Sequence, residues 1–283
     1  MWFFAQVFLP ADFIIWAGLN RRTIIRVNVL LRVEQLQMQF GGLTAVNNFS
    51  LTLRAGELIG LIGPNGAGKT TVFNMITGVL TPTAGRVNWR GANITRLAAQ
   101  QIAARGIART FQNIRLFNDM TVIENVLVSF HYDLEAHFWE AMLGLPRYRR
   151  EEARIREEAV AYLDDLGLAY LAEEKAGSLP YGQQRRLEIA RALATRPGLL
   201  LLDEPAAGMN PQETMELADL LQDLKKKHGL AIFLIEHDMK FVMRVCERIK
   251  VLVYGTSIAE GTPAEIQTNP EVIKAYLGEQ KDA

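Results

Sequence analysis

The sequence predicts an α/β fold built on a mainly parallel core sheet, with a helical subdomain inserted into it. Three observations carry that expectation. Short apolar runs recur at Glu57–Ile62 (ELIGLI), Leu199–Leu202 (LLLL) and 231–236 (AIFLIE), as strands buried on both faces do. A Gly-rich loop follows the first run, and helix-forming sequence separates the runs, the alternation that makes a parallel sheet. From about Asn113 to Ser178, extending to 195, the pattern is mainly helical, which places an insertion between the strands.

Composition narrows the classes. The 283 residues carry 31 Lys+Arg against 31 Asp+Glu, a zero balance that argues against a nucleic-acid partner. Hydrophobic residues make up 49%, which suits a large globular core. The single cysteine, Cys246, excludes an intramolecular disulfide and any Cys-cluster metal site, and fits a reducing compartment.

The elements follow in order. Residues 1–30 contain the most apolar stretch, MWFFAQVFLPADFIIWAGLNRR, but Pro10 and Asp12 interrupt it and no Lys or Arg precedes Arg21. Three readings stand: an interfacial anchor, a floppy extension, or a stretch translated upstream of the natural start. The domain pattern begins at Leu31 and is expected to run to 277, with 278–283 as a tail. Residues 31–38 and Ala45–Arg54 alternate as half-buried strands do. A helix is expected from Lys69 to about Thr77 and a strand over Gly85–Gly91. In REEARIREEAVAYLDDLG, Ile155, Ala159, Tyr162, Leu163 and Leu166 share one helical face. Asn210-Pro211-Gln212-Glu213 reads as a helix start, with Asn capping and Glu capping back. From 249 to 277, short strands alternate with helices.

Chemistry concentrates in two of these places. Gly63-Pro64-Asn65-Gly66-Ala67-Gly68-Lys69-Thr70 fits G-x-x-x-x-G-K-[ST]. Its glycines let backbone N–H groups turn toward phosphate oxygens, the following helix adds its positive end, Lys69 reaches the β- and γ-phosphates, and the Thr70 hydroxyl suits Mg²⁺. Asp203 and Glu204 end a buried strand, where open α/β sheets bind ligands. Asp203 is placed to hold Mg²⁺ through water and Glu204 to orient or deprotonate an attacking water. Ser178–Arg186 is a second Gly-containing loop before a helix, either another anion site or an ordinary helix start.

The segment Ser178-Leu179-Pro180-Tyr181-Gly182-Gln183-Gln184-Arg185-Arg186 resembles the signature motif of the ATP-binding-cassette (ABC) ATPases. Gln112 in RTFQN matches the Q-loop glutamine, His237 the switch histidine, Phe40 the aromatic that stacks on adenine, and Ala207-Gly208-Met209-Asn210 the D-loop. The resemblance covers about residues 31–277. It implies a P-loop NTPase ABC-ATPase fold with a small antiparallel β subdomain, and an ATP hydrolase that uses ATP and Mg²⁺. ATP would lie against Phe40, Gly63, Pro64, Asn65, Gly66, Ala67, Gly68, Lys69, Thr70 and Thr71. Mg²⁺ would lie against Thr70, Gln112 and Asp203. Glu204, His237, Gln112 and Lys69 would carry catalysis, while Leu179, Gly182 and Gln183 would serve the nucleotide of an opposing subunit.

YGQQRRLEIARAL, DEPAAGMNPQET, IEHDMKFVM, TVFNMITG and AYLGE are most similar to the ATPases of branched-chain amino acid (Liv-type) importers. That likeness implies a second ATPase subunit (a LivF-like heterodimer, or a homodimer), two transmembrane permeases and a periplasmic binding protein. It implies a peripheral seat on the cytoplasmic face of the plasma membrane. Urea or amide import, lipid or lipopolysaccharide export, and a soluble non-transport ABC ATPase stand as alternatives. Pro180 departs from the usual Ser or Ala of the signature, removing both a hydroxyl and an N–H, and motivates a low-turnover reading. Tyr181 and Asn210 also depart from the commonest form. Leu116, Phe117 and Met120 are expected together, either in a groove for a permease helix or packed inside the helical subdomain.

Overall fold

The structure is a computed structural model that describes residues 29–133 and 145–278. The expectations for residues 1–28 and for the tail after 278 lie outside the described residues.

A long antiparallel hairpin comes first: β1 (Val29–Phe40) and β2 (Leu43–Arg54). β3 (Leu58–Ile62) then leaves for a second sheet and leads through the Gly-rich loop into α1 (Lys69–Ile76). β4 (Ala84–Trp89) returns to pair with β1, and the two-residue β5 (Ala92–Asn93) pairs with β4, giving an antiparallel sheet ordered β2-β1-β4-β5. After α2 (Ala99–Ala103) and β6 (Ile107–Arg109) come α3 (Val122–Leu127), α4 (Pro146–Asp165) and α5 (Tyr181–Ala194). The chain re-enters the sheet at β7 (Leu199–Asp203), crosses by α6 (Pro211–His228) to β8 (Ala231–Ile235), and finishes through α7 (Met239–Val245), β9 (Arg248–Val253), β10 (Thr256–Gly261), α8 (Pro263–Thr268) and α9 (Pro270–Gly278).

The second sheet is ordered β10-β9-β3-β8-β7-β6. Its pairs are parallel except for the antiparallel edge strand β10. The apolar runs explain why it sits in the middle. In β3, β7 and β8 every residue is buried, and successive side chains alternate between two separate cores. Leu58, Leu200, Leu202, Ile232 and Leu234 face a core shared with the helical insertion. Ile59, Leu61, Leu199, Leu201 and Phe233 face a core closed by the antiparallel sheet and α1.

The face expected on α4 is the buried one: Ile155, Ala159, Tyr162 and Leu163 all pack inward, with Leu166 just beyond the helix. Asn210 caps α6 as read from the sequence, its side chain accepting from the Glu213 N–H while Glu213 accepts from the Asn210 N–H at 3.0 Å. The helical reading from Asn113 is too early. The chain stays irregular until Thr121 caps α3 in a capping box with Glu124. The buried amide of Asn125 holds that stretch, accepting from the Phe117 N–H at 2.9 Å and donating to the carbonyls of Phe117 and Thr121, both at 3.0 Å. A clamp made by one side-chain amide on nearby backbone leaves no periodic signal. β6, three residues long, is likewise too short to announce itself. Among the described residues, no helix is long and apolar enough to cross a membrane.

Candidate active site

The parallel strands deliver their C-terminal ends to one edge, and the chemistry gathers there. β3 ends at Ile62 and the loop Gly63–Gly68 turns over it. Two glycines have no substitute. Gly63 has φ 153°, and a Cβ there would stand 1.9 Å from the Leu252 carbonyl oxygen. Gly68 has φ 99°, and a Cβ would meet the Ala45 carbonyl oxygen at 2.5 Å. The backbone can therefore lie close against β2 and β9. Lys69 begins α1 with only 7% of its surface exposed, and its ammonium donates to the carbonyls of Gly63 (2.6 Å) and Pro64 (2.8 Å). Its charge is thus held across the loop, where a phosphate arriving on the N–H groups meets it. Thr70 and Thr71 follow on the first turn of α1, with Thr70 exposed.

β7 ends at Asp203, which is 3% exposed. Its Oδ2 accepts from the Arg109 guanidinium at 2.8 Å, and Arg109 also donates to Asn74 at 2.7 Å. Burial nevertheless pushes the Asp203 carboxyl above its usual range, against the hydrogen bond and charge of Arg109. Glu204 follows with φ 50°, an uncommon conformation for a residue with a Cβ. That turn swings its carboxylate out of the sheet. There Oε2 accepts from the Gln112 amide at 2.8 Å and lies 3.9 Å from His237 Nδ1. His237 follows β8 and is largely exposed. Lys69, Asp203, Glu204, Gln112 and His237 therefore share one strand-end edge.

Mg²⁺ fits the donors available. Thr70, Gln112 and Asp203 offer hard oxygen atoms. Such a sparse oxygen set suits an ion that keeps waters and binds substrate phosphates.

Phe40 stands apart. Its ring is 48% exposed at the end of β1, so it is no core aromatic. It reaches the loop only indirectly, through β2, where Ala45 packs on Gly68. The signature residues lie at the start of α5: Leu179 and Gly182 are buried, Gln183 is half-buried with its amide donating to the Tyr170 hydroxyl at 3.3 Å, and Tyr181 is exposed. Pro180 is the N-cap of α5 and supplies no side-chain hydrogen bond. Gly208 of the D-loop lies beneath the Tyr181 ring, since a Cβ there would come within 3.2 Å of it.

Two arginines matter that the sequence reading passed over. Arg109 is the partner of Asp203. Arg185, fully buried on α5, donates to the carbonyls of Phe111 and Gln112, both at 2.7 Å, and pairs with Glu188 at 2.7 Å. Burial raises the Glu188 carboxyl against the Arg185 charge beside it. The signal for Arg185 was present: an Arg three residues before a Glu, on the face of α5 that carries Gly182 and Ile189 into the core.

Leu116 packs against the core shared with the helical insertion, Phe117 is exposed and Met120 is half-buried. A cavity of about 400 Å³ is bounded by Val79, Ile107, Phe111, Arg115 and Arg191, and no residue of the phosphate loop lines it. Arg191 lies over the exposed Phe117 ring at 4.9 Å.

The family described as "ABC transporter" matches residues 46–207, and the one described as "Branched-chain amino acid ATP-binding cassette transporter" matches residues 257–282. The "High-affinity branched-chain amino acid transport ATP-binding protein LivG" of Salmonella typhimurium is 52% identical over 250 residues, 88% of this chain and 98% of that protein. The corresponding protein BraF of Pseudomonas aeruginosa is 49% identical over the same shares. A crystal structure of an ATP-binding cassette of an ABC transporter in its ADP conformation superimposes with a TM-score of 0.77 at 32% identity, covering 88% of this chain and 99% of that one.

Proposed function

This chain belongs to the ABC transporter family as an ATP-hydrolysing subunit, and from that membership we propose that it powers the uptake of branched-chain amino acids. The observation that carries the reading is the convergence of Lys69, Asp203, Glu204, Gln112 and His237 on one strand-end edge. The names of the relatives support the substrate class.

The ATP phosphates lie on the backbone N–H groups of Gly63–Thr71, with the Lys69 ammonium turning from its carbonyls toward the β- and γ-phosphates. Thr70, Asp203 and Gln112 would hold Mg²⁺, which would supply positive charge against the charge that develops on the phosphoryl oxygens. Arg109 fixes the Asp203 carboxylate in place for that duty. Glu204 takes the proton of the attacking water, and Gln112, bonded to Glu204, holds that carboxylate in line. His237 faces the γ-phosphate from the other side of Glu204. Leu179, Gly182 and Gln183 belong to the nucleotide of a second cassette, so two cassettes close on two nucleotides. ATP bridges both halves and ADP does not, so hydrolysis shifts the pair back toward open.

The second cassette is a LivF-like subunit or another copy. Two permeases hold the pair on the cytoplasmic face of the membrane, with the cavity beside Phe111 and Arg191 taking a short permease helix. A periplasmic binding protein supplies the amino acid, and Phe40 supports the adenine. The unit runs from about residue 31 to 277, with the helical insertion over 113–178 and on to 195.

Uptake of labelled leucine, isoleucine and valine by the host, with the gene deleted and then restored, tests the reading. Uptake is expected to fall on deletion and to return with the wild-type gene but not with Glu204→Gln. Unchanged uptake of all three, with loss of another solute, would contradict it.

A further inference from the structure

Glu236 has no task in the mechanism above, yet it is the most deeply buried carboxylate at the site, 1% exposed. Its hydrogen bonds come from three backbone N–H groups. Ala206 donates to Oε1 at 2.9 Å, and His237 and Asp238 donate to Oε2 at 2.9 and 3.3 Å. The same Oε2 lies 3.7 Å from His237 Nδ1, so the imidazole stands between two carboxylates, Glu204 and Glu236. Burying a charge without a cation hydrogen-bonded to it is costly, and a nest of N–H groups offsets that cost only while all of them stay aimed at it.

The donors belong to two different segments. Ala206 follows Glu204 by two residues and leads into 207–210, where Gly208 lies beneath Tyr181 of the signature loop. His237 and Asp238 form the turn between β8 and α7. One carboxylate therefore fastens the segment that faces the signature loop to the segment that carries the imidazole.

We propose that Glu236 is a positioning residue whose carboxylate locks the Ala206 segment to the His237 segment, so that a displacement of residues 206–210 by a second cassette is passed to the His237 imidazole. The proposal rests on the reading of Glu204 and His237 given under the proposed function. Glutamine at 236 has a single acceptor oxygen, so Glu236→Gln breaks one of the two links and turns an amide N–H₂ toward the donors it abandons.

The test is a double-mutant cycle of Glu236→Gln and His237→Ala in the full chain. Rates are expressed per nucleotide site, titrated with a fluorescent ATP analogue, so a partly unfolded preparation does not count as a slow one. Glu236→Gln is expected to lower kcat by about tenfold with KM for ATP within about twofold, and to add less than about twofold in the His237→Ala background. An equal loss in both backgrounds, a loss carried by KM, or wild-type kcat for Glu236→Gln would overturn the proposal. Wild-type turnover by His237→Ala would instead overturn the reading on which it rests. If Glu236→Gln does not fold, Glu236→Asp enters the same cycle with the same outcomes.

Discussion

Lys69 and Asp203 adjoin strands in which every residue is buried, and both are themselves almost fully covered. Tyr181 and Gln183 instead sit on the first turn of a helix, with the Tyr181 ring exposed and Gln183 only half covered. The first group is held by the protein's own core, with Arg109 gripping Asp203 and the glycines of the loop pressed against β2 and β9. The second group presents itself outward. The contrast teaches which surface is complete by itself: the phosphate side is preorganised by its own core, and the exposed part of the signature side is not. Arg185 joins the two sides, its guanidinium holding the carbonyls of Phe111 and Gln112 from the signature helix.

The largest expected effect strikes the phosphate side. Glu204→Gln removes the acceptor of the water's proton, and kcat is expected to fall by about 10²–10⁴-fold, the usual contribution of a positioned general base. ATP should still bind, and sedimentation should find an ATP-bound closed dimer. Turnover at the wild-type rate would remove Glu204 from that role.

Phe117→Glu probes the surface beside the cavity. Phe117 is exposed, so the melting temperature should stay within about 2 °C, in line with surface substitutions generally. ATPase activity of the chain alone should persist while amino acid uptake drops. A fall in melting temperature together with ATPase activity would place Phe117 in internal packing instead.

The signature side should respond more gently. Pro180→Ser restores a hydroxyl at a helix N-cap, where Ser is favoured. One added hydrogen bond to a charged phosphate is worth at most about 1.5–3 kcal/mol, so turnover in the assembled ATPase should rise by no more than about 10- to 100-fold. No change in an assembly that hydrolyses ATP would show that Pro180 is not limiting.

The smallest effect concerns pH. Burial raises the Asp203 carboxyl above its unfolded value, so the folded chain holds that proton more tightly than the unfolded one. The stability this contributes is fully present below the unfolded pKa, about 4, and is lost as pH rises through the raised folded value. The melting-temperature advantage of wild type over Asp203→Asn should therefore shrink as pH rises from about 4 toward neutrality. An advantage that grows with pH would reverse the assignment.

Much of this was legible in the chain itself. The three apolar runs mark the central strands because a strand buried on both faces is built almost wholly of apolar residues. The phosphate loop is legible because only glycine fits the positions of Gly63 and Gly68. Asn210 and Glu213 announce a helix start through local hydrogen bonds that any reader of caps can find. Arg109 and Glu236 were not legible in the same way. Each acts on a partner distant in sequence, and a lone charge in a mixed segment looks alike whether it is solvated or buried. The irregular stretch before Thr121 departs from the helical expectation for another reason: a single amide, Asn125, holds nearby backbone by contacts that leave no period.

Calorimetry of MgATP binding to wild type and to Lys69→Ala tests the central claim most directly. A lysine held across the phosphate loop predicts clear binding by wild type and an affinity about 10- to 100-fold weaker for the variant, as expected for losing a hydrogen bond to a charged group. Equal affinity in two well-folded proteins would contradict it.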